Sequence, residues 1–235
     1  VEHVRKTDEE IDTLFRDLLI GVTNFFRDSD AFAKLEETIV PKLLAGKSSG
    51  EPIRVWSAGC STGEEAYSIA ILLQEYIEYM RESYTLQVFA TDIDGQSIAT
   101  ARSGIYPASI AADISPDRLS RYFSEESVSP EGVPESYRIN KKIRDVMIFS
   151  EQNIIKDPPF SNIDLISCRN LMIYLGGELH KKLVPLFHYA LRPGGVLFLG
   201  TSESIGEGTD LFQTLDRKAK IYQRRDTAVT SYYTS

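Results

Sequence analysis

Two carboxylates stand where a small-molecule ligand would need them. Glu65 lies in "VWSAGCSTGEEAYSIAILL" (55–73), and Asp92 lies in "QVFATDIDGQSIATAR" (87–102). Beside a loop of small residues, a carboxylate can bind a ligand ammonium group. At the end of the next strand, it can accept hydrogen bonds from ribose hydroxyls. Ser61 and Glu64 fit a capping box, which gives Glu64 a structural task and leaves Glu65 to a ligand. The competing role for Glu65 is a favourable charge in the first helical turn. Asp94 precedes Gly95 and suits a helix cap, so Asp92 is the better ribose partner. Gly59 and Gly63 allow close backbone approach to a ligand, or simply a tight turn.

Two asparagines follow strand-like runs in "FSEQNIIKDPPFSNIDLISCRNLMIYL" (149–175). The carboxamides of Asn153 and Asn170 can read an adenine edge or a carboxylate; a turn role is the alternative. Tyr174 lies four residues after Asn170, as a ligand group or a half-buried aromatic. Arg27 follows Phe25 and Phe26 in "GVTNFFRDSDAF" (21–32), as an anion clamp or a surface charge. No Ser-His-Asp or Cys-His arrangement, HExxH motif or Walker loop is present, so hydrolase, metalloprotease and kinase readings lack support. His3, His180 and His188 fall in the tail and on one long helix, away from strand ends. The absent glycine fingerprint and proton relay count against a nicotinamide oxidoreductase.

An alternating pattern must position these residues. Helical periodicity is expected over 7–45, with Asp8 capping Ile11, Leu14, Leu18 and Leu19, and a second helix over 29–44. "GKSSGEP" (46–52) is a breaker. Strands are expected at 53–58, 86–92, 146–150, 163–168 and 195–200. Helices are expected at 63–80, 95–103 and 178–190. "SPDRLSRYF" reads as a short helix, "SPEGVPES" leads into a small hairpin, and Pro193-Gly194-Gly195 is a turn feeding a strand. "AKIYQRR" reads as a last strand. Such alternation implies an α/β fold with a mostly parallel sheet, whose ligands sit at the carboxyl ends of the strands.

The 235 residues suit one domain, or one domain with a small appendage, and the net charge of −8 is unlike that of a nucleic-acid-binding surface. The basic run "RKAKIYQRR" (217–225) reads as a solvated strand edge. Cys60 and Cys168 make neither a disulfide framework nor a metal cluster, so no metal is expected and a reducing, cytoplasmic setting is. No apolar run suits a membrane span, and the first ten residues lack the apolar core of a secretory signal.

Taken in order, "LLIGVTNFFRD", "RVWSAGCSTGEEAYSIA", "FATDID", "ARSGIYP", "CRNLMIYL" and "LRPGGVLFLGTSES" closely resemble the chemotaxis receptor methyltransferase (CheR) family, from Leu18 to about Gln223. "DLLIGVTNFFRD" with "FHYALRPGGVLFLG" is also similar to the methyltransferase segment of fused methylesterase–methyltransferase sensory proteins. The resemblance implies a Rossmann-like S-adenosylmethionine-dependent methyltransferase fold, with an N-terminal helical segment (1–46), a cofactor-binding domain (47–235) and an antiparallel insert (about 106–144). It implies methyl transfer to glutamate side chains of chemoreceptor cytoplasmic helices by a monomeric domain. The cofactor would meet Thr23, Arg27, Ala58 and Gly59. Glu65 would bind its methionine part and Asp92 its ribose. Asn153 and Ile154 would line the adenine, with Asn170 and Leu171 along the other side. Arg27 and Tyr174 would flank the substrate carboxylate. Gly21 stands where many members have a polar residue, so that contact is not carried over.

Overall fold

The computed structural model describes residues 23–226 except 46, 49, 82, 176 and 207. The first helix expected within 7–45, with its cap Asp8, lies outside the described residues. The chain begins with α1 (Ser29–Lys34), a π-helical turn (Leu35–Ile39) and α2 (Val40–Ala45). The widened turn ends two residues before Pro41, whose ring and missing N–H would break a regular helical repeat. β1 (Pro52–Ala58), α3 (Glu64–Met80), β2 (Thr85–Asp92) and α4 (Gly95–Ser103) follow. The insert comprises β3 (Ile105–Pro107), α5 (Pro116–Tyr122), β4 (Phe123–Val128) and β5 (Pro134–Ile139). The remainder is α6 (Lys141–Arg144), β6 (Met147–Glu151), β7 (Ile163–Cys168), α7 (Gly177–Ala190), β8 (Leu191–Leu199), β9 (Phe212–Asp216) and β10 (Ile221–Arg224).

Seven strands form one sheet in the order β6-β2-β1-β7-β8-β10-β9. The first five are parallel, and β10 runs antiparallel to both β8 and β9. Successive side chains point to opposite faces, so each central strand serves two cores. Val55, Leu165 and Phe198 enter one apolar cluster with α1–α3 and the insert, whereas Trp56, Ile166 and Leu197 enter another with α7. Burial on both faces explains the nearly continuous apolar run of β7.

Several details depart from expectation. β8 starts at Leu191: Leu191 pairs with Ile163 and Val196 with Leu165, so Pro193-Gly194-Gly195 is an irregularity inside the strand. The basic run is no solvated edge, because β10 lies between β8 and β9 with Ile221 and Tyr222 buried. β9 was not anticipated; apart from Phe212, its residues are half-buried or exposed, so its apolar pattern is faint.

The insert forms a separate antiparallel sheet, β3-β5-β4, tied firmly to the main body. Arg118 of α5 pairs with Glu75 at 2.8 Å and Glu36 at 2.9 Å, and its guanidinium lies over the Phe26 ring. Phe25 packs edge-on against Tyr106 and Phe123. Thus the insert, α3 and the segment preceding α1 share one set of contacts.

Candidate functional site

Sheet order reverses direction between β1 and β7, and the crevice outside the carboxyl ends of strands at such a point is the usual ligand site. The loop leaving β1 is shaped by three left-handed residues, Gly59 (φ 71°), Ser61 (φ 49°) and Gly63 (φ 95°). This twist prevents the expected capping box. Gly63, not Ser61, is the N-cap of α3, and Glu64 instead accepts the Thr62 hydroxyl at 2.7 Å. The Ser61 amide turns toward β2 and donates to Asp92 Oδ2 at 2.7 Å, while Asp92 Oδ1 accepts the Asp94 amide at 3.0 Å. Asp94 caps α4 through the Gln96 and Ser97 amides, as expected. From the insert, Tyr106 donates its hydroxyl to the Thr62 carbonyl at 2.7 Å.

Glu65 has protein partners, contrary to its reading as the carboxylate without a structural task. It accepts from the Ser167 hydroxyl at 2.7 Å and from Arg169 at 3.3 Å. Burial pushes its carboxyl above the usual range, opposed by the Arg169 charge and the Ser167 hydrogen bond. Arg169 also donates to Asp28 at 2.6 Å and to the Arg27 carbonyl at 3.1 Å. Phe26 (φ 49°) and Asp28 (φ 60°) flank Arg27 in left-handed conformations that are costly for such residues. The Phe26 amide is held by Ser68 Oγ of α3 at 3.0 Å, so partners on α3 and after β7 impose this backbone.

The loop after β7 carries Asn170, Leu171 and Tyr174. Asn170 is left-handed (φ 60°). Glu203, buried below the loop after β8, accepts the amides of Asn170 at 3.0 Å, Met172 at 2.7 Å and Gly200 at 2.6 Å. His180, expected to lie away from the site, has Nε2 at 2.6 Å from the Met172 carbonyl in the same turn. Leu171 and Gly59 meet: a methyl group on Gly59 would stand 2.9 Å from Leu171 Cδ2. Tyr174, on the turn Met172–Tyr174, is 45% exposed.

Asn153 and Ile154 follow β6, on the far side of β2 and β1 from Asn170. The Asn153 carboxamide oxygen accepts from the Ile155 and Lys156 amides at 3.0 and 3.2 Å, giving it at least the turn role. Thr23 and Arg27 are half-buried at the start of the described chain, and Ala58 ends β1 in the core. Arg169 and Glu203 were missed. The only sequence signal of Arg169 is a charge directly after a continuous apolar strand, and Glu203, further along the loop after β8, lacks even that. Among the described residues, no group of His, Cys, Asp and Glu is placed to hold a metal, and no helix is long and apolar enough to cross a membrane.

The donor and acceptor set suits S-adenosylmethionine. Asp92 Oδ2 accepts the Ser61 amide and Oδ1 the Asp94 amide, with the Ile93 amide also acting on the carboxylate; its two oxygens have four acceptor positions, so capacity remains for a diol. Glu65 offers a carboxylate to an ammonium group, and it is only 14% exposed. Gly59 leaves room where a side chain would collide with Leu171.

This sheet order and loop set define a Rossmann-like methyltransferase domain. The chain belongs to the CheR family: the family described as CheR methyltransferase, SAM binding domain, matches residues 21–221. Its cofactor is therefore S-adenosylmethionine. An uncharacterized 104.1 kDa protein in the hypE 3′ region of Rhodobacter capsulatus is 40% identical over 214 residues, 91% of this chain and 22% of that protein. The putative methyltransferase Cher3 of Pseudomonas putida is 35% identical, with 90% of this chain matching 76% of that protein. Chemotaxis protein methyltransferase 1 of Pseudomonas aeruginosa is 30% identical, with 86% of this chain matching 73% of that protein. Among solved structures, a TehB-like SAM-dependent methyltransferase from Corynebacterium glutamicum aligns at TM-score 0.45 and 13% identity, covering 92% of this chain and 95% of that one.

Proposed function

We propose that this domain is a protein-glutamate O-methyltransferase acting on the cytoplasmic helices of a chemoreceptor. The observation that carries the reading is Arg169, which binds the Glu65 carboxylate with one nitrogen and the Arg27 backbone carbonyl with the other and so supports a site in which Arg27 and Glu65 act together. The chemotaxis methyltransferase names of the relatives support the substrate class.

A glutamate carboxylate, with a free pKa of about 4.3, is ionised at neutral pH and needs no general base. S-adenosylmethionine supplies an electrophilic methyl group on a cationic sulfur. The protein's work is placement and exclusion of water. In this reading Glu65 holds the ammonium end and Asp92 the ribose diol. Asn153 and Ile154 line the adenine, Asn170 and Leu171 take the opposite flank, and Thr23 and the Ala58–Gly59 backbone complete the site. Arg27 orients the acceptor carboxylate, and the Tyr174 hydroxyl donates to its non-attacking oxygen. The proposed units are a helical segment (1–46) and a catalytic domain (47–235), working as a cytoplasmic monomer without nucleic acid or membrane insertion.

The test incubates the domain with receptor-bearing membranes and methyl-labelled S-adenosylmethionine. Label should enter receptor protein and leave as methanol in mild alkali, as a carboxyl ester does. S-adenosylhomocysteine binding with no transfer would instead favour a cofactor-sensing module.

A further inference from the structure

We propose that Arg169 is a positioning residue that joins the two sides of the site, setting the charge and place of Glu65 with one nitrogen and the place of Arg27 with the other. The inference rests on the reading of Glu65 as the partner of the cofactor's ammonium group. Arg169 directly follows β7, and its side chain is fully buried. Nη1 donates to Glu65, whereas Nη2 donates to Asp28 and the Arg27 carbonyl. The Phe32 and Phe198 rings lie 5.3 and 4.6 Å from its Cζ, holding the guanidinium plane between α1 and β8. A buried ion pair of this kind adds little net stability compared with a well-packed apolar residue. An apolar residue, however, would neither keep a carboxylate charged nor hold a carbonyl. The planar fork is also specific: a lysine ammonium is a compact point charge on a flexible stem and cannot reproduce both ends together.

Without this cation, Glu65 would face the Glu203 carboxylate and the Cys60 and Cys168 thiols, with the Ser167 hydroxyl as its direct partner among the described residues. Asp92 lies beyond Cys60, and Asp28 behind Arg169. Arg169 is the cation that opposes burial and the Glu203 charge at Glu65, so its removal shifts Glu65 toward its protonated form, which no longer attracts an ammonium group.

The experiment is calorimetric titration of S-adenosylhomocysteine between about pH 5 and pH 8, where affinity tracks ionisation of its carboxylate partner. Wild type, Arg169→Met, Arg169→Lys and Glu65→Gln are compared. In Arg169→Met, the pH below which affinity falls should rise by about one unit or more, with affinity falling toward tenfold per unit below it. Arg169→Lys should restore the wild-type pH profile. A merely structural role would weaken binding without moving the profile, and an unmoved profile in Arg169→Met overturns the proposal. Glu65→Gln binding as tightly as wild type would overturn the reading of Glu65 instead, a separable result.

Should Arg169→Met fail to fold, Asp28→Asn tests the other arm. Bound S-adenosylhomocysteine should slow tryptic cleavage after Arg27 in wild type. In Asp28→Asn that protection should drop severalfold while binding persists; undiminished protection would overturn the proposed link.

Discussion

Glu203 offers a severe test of how the site is built. Its two oxygens accept three backbone amides: Gly200 and Asn170 at Oε2, Met172 at Oε1. In Glu203→Gln, the best placement keeps oxygen at the first position and turns the amide NH2 toward the Met172 N–H, donor against donor. Hydrogen bonds to a charged group contribute about 1.5–3 kcal/mol each, and an unsatisfied buried donor costs about 1–3 kcal/mol. Loss of one such bond, plus weakening of two by removal of the charge, gives about 3 kcal/mol for Gln. Ala removes all three acceptors, and partial relaxation leaves about 3–5 kcal/mol. At roughly 2–4 °C per kcal/mol for a domain of this size, the melting temperature should fall by about 10 °C in either variant. S-adenosylhomocysteine affinity should fall with it, because the same amides hold Asn170 in its left-handed conformation. Calorimetric melting and titration provide the assay. If Glu203→Gln melts within about 1 °C of wild type and binds equally well, the loop is not held as described. Gly200→Ala is an independent check: its methyl would stand 2.6 Å from Glu203 Oε2 and 3.0 Å from the Asn170 nitrogen.

Other consequences are accessible to the same assays. Asp92→Ala removes a proposed ribose acceptor and the anchor of the Ser61 and Asp94 amides, so cofactor affinity should fall by about tenfold or more, worth about 1.4 kcal/mol per tenfold. Tyr174→Phe should lower the methyl-transfer rate by about tenfold while changing cofactor affinity little, since it removes the proposed hydrogen bond to the acceptor alone. Gly59→Ala should weaken cofactor binding and lower stability by about 1–2 kcal/mol, from its left-handed φ and its contact with Leu171. Burial raises both the Glu65 and Asp92 carboxyls, so cofactor affinity should fall on acidification beginning above the ordinary carboxylate range. The stability sign is opposite for these two groups. A folded pKa above the unfolded one favours folding below the unfolded pKa, and that contribution disappears as pH rises through the folded value. Binding and stability should therefore diverge at acid pH in S-adenosylhomocysteine titrations and melts.

The sheet was legible because its central strands are buried on both faces and read as apolar runs between helical patterns. β9 was not, because only Phe212 among its residues is buried. Asp92 and Asp94 were separated correctly in one respect: a short-range cap is written in adjacent residues, and Asp94 makes it. The capping box assigned to Ser61 and Glu64 was mistaken because it depended on the conformation of Ser61. A non-glycine left-handed residue is imposed by distant contacts, here Asp92 Oδ2 on its amide. Arg169 and Glu203 were invisible for a related reason. Arg169 meets Glu65 across 104 positions, and Glu203 meets Asn170 across 33, so neither pairing leaves a local pattern.

A physical logic unites these missed residues. Loops at the carboxyl edge must leave room for a ligand, so they cannot be fixed by close apolar packing throughout. Besides Phe26, whose amide is held by the Ser68 hydroxyl, Ser61, Asn170 and Asp28 adopt left-handed backbone at this edge. Each is held by a charged side chain from another segment: Asp92 for Ser61, Glu203 for Asn170, Arg169 for Asp28. Charged hydrogen bonds are directional and strengthen as water is excluded, whereas apolar contacts are not directional. Closure over a ligand would increase the hold of these charged groups, coupling cofactor binding to the order of the loops that present Arg27 and Tyr174.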